Sequence, residues 1–126
     1  MIVTKRIYEP VDDRDGYRVL IDRLWPRGVS KTAAHLNEWA KAIAPSAELR
    51  QWYGHDPAKW DEFQRRYAEE LDNPESQAVL DALARRARRG RVTLLYSTRE
   101  ATISNAEALA HMLESRAART HMRAHR

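Results

Sequence analysis

Two polar stretches, each following an apolar run, hold residue types suited to gripping an anion. The first lies within VLIDRLWPRGVSK, residues 19–31, where Asp22, Arg23, Arg27 and Gly28 gather at the point a strand-like run ends. A guanidinium binds phosphate or carboxylate through two parallel N–H bonds. Asp22 could serve as an acid or base, or orient one of those guanidiniums. The second stretch is YSTRE, residues 96–100, in which Ser97, Thr98 and Arg99 precede a helix start. Free amides and the positive end of the helix dipole favour an anion there. The loop has no glycine, so it is not a P-loop that wraps phosphate in backbone. WYGHDP, residues 52–57, adds His55 between a helix stop and a helix cap. Imidazole is the side chain suited to general acid or base work near neutral pH.

Each feature also has a plainer reading. Asp22 could be closed in an ion pair with an arginine, riveting the loop while Trp25 anchors it. Ser97 and Thr98 could simply cap a helix, and His55 could bond a carbonyl. Trp25, Trp39, Trp52 and Trp60 with Tyr53 and Tyr67 resemble a base-stacking set, but Trp60 falls on the apolar stripe of a helix with Phe63, which favours core packing. The densest charge run is Arg85, Arg86, Arg88, Arg89 and Arg91. Such a run complements the C-terminal end of its own helix dipole, and its second reading is contact with a nucleic-acid backbone.

Composition narrows the chemistry. The 126 residues contain no cysteine, which excludes disulfides, thiolate catalysis and cysteine-held zinc. The histidines show no metal-ligand spacing, so neither a metal nor another cofactor is expected. The net charge of +4 suggests nucleic acid until it is located. Of 22 Lys+Arg, four (Arg116, Arg119, Arg123, Arg126) lie in the last eleven residues, leaving 18 against 18 Asp+Glu in residues 1–115. The body is neutral, so net charge argues poorly for DNA. No apolar run approaches the roughly 20 residues of a membrane span, and MIVTKRIYEP lacks the apolar core of a signal peptide. A cytoplasmic protein without membrane attachment is expected.

The elements that must position these residues interleave. MIVTKRIY and the β-branched YRVLIDRL read as strands, separated by the turn-rich EPVDDRDG. Ser46 caps a short helix, AELRQWY, that stops at Gly54. Asp56-Pro57 starts the next helix, on which Trp60, Phe63, Tyr67 and Leu71 form one stripe over about four turns. Asn73-Pro74 starts ESQAVLDALARRARR, which ends at Gly90. RVTLLY, residues 91–96, is a third strand. Ser104 and Glu107 make a capping box for a final helix that buries Ala106, Leu109, Ala110 and Leu113. The fold class is therefore α/β: a single small domain over residues 1–115, with a short parallel or mixed sheet of about three strands covered by helices, and a basic, disordered tail at 116–126.

KRIYEP, DGYRVLIDRLWPRGVSK, LNEWAKAIAPSAELRQWYGHDPAKWDEFQRRYAEEL and VTLLYSTRE follow in an order that resembles the DUF488 family, YeaO-like branch, over about residues 3–115. The resemblance implies a small α/β protein of a family without an assigned activity. Its motif positions fall on Asp22, Arg23, Trp25, Pro26, Arg27 and Gly28, on Trp39, Ala44, Pro45 and Ser46, and on His55, Pro57, Trp60 and Tyr67. They fall also on Tyr96, Arg99 and Asn105, which makes Asn105 a further ligand-binding candidate. In the family it resembles, members usually carry a His-Asn or similar pair before the last helix, where this chain reads Ile103-Ser104.

In an open α/β sheet, ligands bind beyond the carboxyl ends of the strands. The sequence thus predicts an enzyme or degenerate enzyme with an anionic, phosphate-bearing ligand. Arg23, Arg27, Ser97, Thr98, Arg99 and Asn105 would bind it, and Asp22 and His55 would handle protons. The other reading is a non-enzymatic nucleic-acid- or protein-binding regulatory module that uses Arg85–Arg91 and the tail. Exposed aromatics would suit a dimer.

Overall fold

Alternation along the strands divides their side chains between two unequal faces. The computed structural model describes residues 1–99 and 104–124. Four strands, β1 (Ile2–Arg6), β2 (Tyr17–Leu20), β3 (Glu38–Trp39) and β4 (Val92–Tyr96), lie in the order β1-β4-β2-β3. Every pairing is parallel. β4 runs centrally, matched to β1 from Ile2–Val92 to Arg6–Tyr96 and to β2 from Tyr17–Val92 to Leu20–Leu95. All five β4 residues are buried, which explains its unbroken apolar character. The expected sheet of about three strands gains β3, a two-residue edge strand too short to show any alternation.

Among the described residues five α-helices accompany the sheet: α1 (Lys31–Ala34), α2 (Ala47–Tyr53), α3 (Trp60–Glu70), α4 (Pro74–Arg89) and α5 (Asn105–Ala124). Their ends follow local chemistry. Ser46 Oγ accepts the Leu49 amide at 3.0 Å, and Asn73 Oδ1 accepts the Ser76 amide at 2.9 Å. Gly54 ends α2 at φ 53°, the left-handed conformation a side chain resists. Ser104, buried, accepts the Glu107 amide at 3.3 Å. α5 continues past residue 115, and Arg116 donates to Asp81 at 2.5 Å and to Gln77 at 2.6 Å on α4.

One face of the sheet is dry. Val19, Ile21, Val92, Leu94 and Tyr96 pack there with Phe63, Tyr67, Leu80, Leu83, Leu109 and Leu113. Each such fully buried side chain contributes about 1.5–3 kcal/mol. Tyr67 stays buried because its hydroxyl donates to the Ile43 carbonyl. The other face is split. Toward the strands' carboxyl ends, Ile7, Leu20, Leu95 and Ala34 form a small apolar cluster with Trp25, Val29, Leu36 and Trp39 against it. Toward the amino ends the same face carries charge. Buried Arg18 donates to Asp15 Oδ2 at 2.5 Å, and Lys5 Nζ lies 3.1 Å from the same carboxylate. Burial works to raise the Asp15 pKa, but the Asp12 amide, Lys5 and Arg18 outweigh it and hold it below the ordinary value.

The link between β1 and β2, residues 7–16, is short for a parallel connection and contains no α-helix. It suffices because the strands are short, and extended chain covers about 3.3 Å per residue. The link ends at Gly16, whose φ of 67° and close approach to the Arg91 carbonyl leave no room for a Cβ.

Candidate functional site

The carboxyl ends of β1, β2 and β4 meet one face of α2, and a cavity of about 600 Å³ opens between them. Arg6, Tyr8, Asp22, Leu24, Trp25, Pro26, Arg27, Arg50, Ser97, Thr98 and Arg99 line it. The two polar stretches therefore do face each other across one sheet edge, because β2 and β4 are parallel neighbours. Of the predicted residues, Asp22, Arg27, Ser97, Thr98 and Arg99 converge on this cavity. Arg23 is exposed and is not among its lining residues.

Asp22 forms the floor. It is 7% exposed, and its Oδ2 accepts both the amide and the hydroxyl of Ser97, each at 2.9 Å. Burial pushes its carboxyl above the usual range, opposed by the Ser97 bonds, the charge of Arg50 and a bond from Asn105. No arginine stands within ion-pair distance of Asp22 among the described residues. Among the described residues the buried charge pair is Asp15–Arg18, at the other end of the sheet. What Asp22 does instead is fasten the end of β2 to the loop after β4. Trp39 Nε1 secures the same residue by donating to its carbonyl at 2.7 Å.

The rim is built by similar ties. Arg6, at the end of β1, donates to the carbonyls of Ser97 at 2.9 Å and Thr98 at 3.0 Å. Its guanidinium lies 5.0 Å from the centre of the Tyr8 ring, and the Tyr8 hydroxyl donates to the Arg27 carbonyl at 2.9 Å. Arg6 thereby links both loops. Trp25 Nε1 donates to the Val29 carbonyl at 2.5 Å, closing the Pro26–Gly28 turn, where Gly28 sits at φ 79°. Arg27, Arg50 and Arg99 project as exposed cations with no carboxylate in ion-pair range among the described residues.

A second cavity of about 280 Å³ adjoins the first through Arg50, which lines both, and includes Tyr53, His55, Phe63 and Asn105. His55 is exposed at φ 56°, and its Nε2 lies 3.4 Å from Thr98 Oγ1, the outer limit of a hydrogen bond. Tyr53 stacks on Phe63 at 4.2 Å, and burial, with Asp56 nearby, pushes its phenol up to about 12. Asn105 is buried at the start of α5 and reaches Asp22. Ile103 lies outside the described residues; Ser104 caps α5.

The tryptophans do not form a stacking ladder. Trp25 meets Trp39 edge-on at 5.2 Å, Trp60 packs on Phe63, and Trp52 lies against Lys59 and Arg66. Among the described residues, no three His, Asp or Glu side chains cluster in a way that could hold a metal ion. No described helix is long and apolar enough to cross a membrane.

Arg6 and Arg50 are the lining cations that sequence reasoning missed, along with the lining residues Tyr8 and Leu24. A signal for Arg6 existed, since it ends a strand at the same sheet edge. Arg50 carried none, because it is one polar residue on a short amphipathic helix and only packing aims it at the cavity.

Residues 1–126 match a family model described as the inactive DUF488-N3 subclade. Uncharacterized protein YeaO of Escherichia coli K12 is 42% identical over 114 residues, covering 90% of this chain and 97% of that protein. Uncharacterized protein Rv3073c of Mycobacterium tuberculosis H37Rv is 44% identical over 111 residues, covering 88% of this chain and 92% of that one. No solved structure matches the chain. With matches that run nearly end to end and span strands, helices and both loops of the cavity, the chain belongs to the DUF488 family, in its inactive DUF488-N3 subclade.

Proposed function

We propose that this protein is a degenerate enzyme, cytoplasmic as its cysteine-free composition suits, that retains a pocket for a small phosphate-bearing ligand and binds it without turning it over. The observation that carries this reading is the convergence of Arg27, Arg50 and Arg99 around one cavity of about 600 Å³ that Thr98 also lines, while Ser97, whose hydroxyl donates to Asp22, shapes its floor. Guanidiniums without carboxylate partners are the groups that recognise phosphate by paired hydrogen bonds. The absence of turnover rests on Asp22. Its bonds to Ser97 and Asn105 make it a fastener of the site rather than a base free to move a proton. The description of the matching family model as inactive agrees with this.

Calorimetry with sugar phosphates, nucleotides and inorganic phosphate tests the reading. At least one phosphate-bearing compound should bind, and Arg27→Ala with Arg99→Ala should weaken it tenfold or more while the compound remains chemically unchanged. A screen in which none binds overturns the proposal, as does retention of affinity in the double variant.

A further inference from the structure

A second cationic site lies at the opposite edge of the sheet. The last turns of α4 and the start of β4 enclose a depression of about 430 Å³ lined by Tyr17, Ala82, Arg85, Arg86, Arg89, Gly90 and Arg91. Helical spacing sorts the arginine run: residues 85, 86 and 89 share a face, Arg91 joins from the strand side, and Arg88 is not among the lining residues. None of the four lining arginines has a carboxylate within ion-pair distance among the described residues. The Arg86 guanidinium carbon lies over the Tyr17 ring, 3.9 Å from its centre, and the Tyr17 hydroxyl donates to Glu38 at 2.8 Å. One wall is thus a guanidinium held over an aromatic ring, and all four arginines, Arg85, Arg86, Arg89 and Arg91, are exposed.

Dipole compensation does not account for this much charge. A helix C-terminus carries about half an elementary negative charge, which one cation answers. Four arginines around one depression repel each other and are brought to rest by a ligand with several negative charges. The depression has the volume of a small molecule. Arg116, from the tail that a nucleic-acid reading would recruit, is occupied by Asp81 and Gln77. We infer that the depression formed by Tyr17, Arg85, Arg86, Arg89 and Arg91 binds a small polyphosphate anion. It stands apart from the carboxyl-edge cavity and shares no lining residue with it.

Inorganic tripolyphosphate is the probe, titrated calorimetrically into the full chain at 0.15 M salt, roughly physiological ionic strength. Arg85→Gln with Arg89→Gln removes two charges whose side chains make no bond among the described residues, so the fold should persist, as a thermal melt will show. Affinity should fall tenfold or more in that variant and should survive Arg27→Ala with Arg99→Ala. The inference is overturned if tripolyphosphate does not bind, if Arg85→Gln/Arg89→Gln leaves its affinity unchanged, or if only the Arg27→Ala/Arg99→Ala variant loses it. Binding of a single-stranded oligonucleotide in the absence of tripolyphosphate binding would also overturn it, in favour of a nucleic-acid surface.

Discussion

Asp22 offers the most direct test of how the cavity is held together. Asp22→Ala removes the acceptor for both the Ser97 amide and the Ser97 hydroxyl and leaves Asn105 without its partner. A buried donor left unsatisfied costs about 1–3 kcal/mol. Ser97 is half-buried, so water recovers part of this for its hydroxyl. The amide and the buried Asn105 side chain carry most of the loss, and the sum is about 2–4 kcal/mol. Asp22→Asn keeps an acceptor oxygen of nearly the same shape and should cost less than about 1 kcal/mol. The two variants also differ from the native chain in pH dependence. An acid whose folded pKa is raised contributes stability in its protonated form. That contribution is complete below the unfolded value near ~3.9 and is lost as pH climbs through the folded value. Native stability relative to Asp22→Asn should therefore fall as pH rises across that window. Urea unfolding followed by tryptophan fluorescence, at several pH values, measures all three quantities. If Asp22→Ala costs under about 0.5 kcal/mol, or Asp22→Asn costs as much as Asp22→Ala, the fastening role is refuted.

Two further perturbations probe the frame that holds the site. In Gly16→Ala the new Cβ would meet the Arg91 carbonyl oxygen at 2.3 Å on a φ of +67°. A side chain held at that positive φ costs about 1–3 kcal/mol by itself, so the denaturation midpoint should drop clearly, and an unchanged midpoint would contradict the tight packing of the β1–β2 link on β4. Asp15→Asn strips buried Arg18 of its counter-charge and should cost about 3–5 kcal/mol at neutral pH. Because the folded Asp15 pKa is depressed, its contribution is present above the unfolded value and lost as pH falls through the folded one. The gap between native protein and variant should therefore narrow in acid unfolding curves, and a gap independent of pH would show that Asp15 stabilises by some other means.

Helix positions were legible because their signals are local. Ser46, Asp56 and Asn73 mark starts through side chains that accept nearby amides, Gly54 marks a stop through its positive φ, and the stripe Phe63, Tyr67, Leu71 needs only a period of 3.6 to be recognised. The apolar run Val92–Tyr96 likewise announced a strand, and the structure adds that all five of its residues are buried. The meeting of Asp22 with Ser97 could be anticipated from two strand ends, but only if those strands run the same way.

Direction, order and contact belonged to the tertiary structure. Sheet order β1-β4-β2-β3 places β4 between two strands that precede it in the chain, and no local preference encodes that. The charged rivet looked for at Asp22 lies instead at Asp15–Arg18, since whether a carboxylate meets a guanidinium depends on which faces of separate segments are brought together. β3 is two residues of edge pairing, below the length at which alternation can be seen. Arg50 and Arg6 enter the cavity, and Arg23 does not, because packing aims side chains that share one residue type. Residue chemistry along the chain determined which segments become helices and strands and which groups could hold an anion. Long-range packing alone decided which of those groups share a surface, because that depends on the summed burial of segments far apart in sequence.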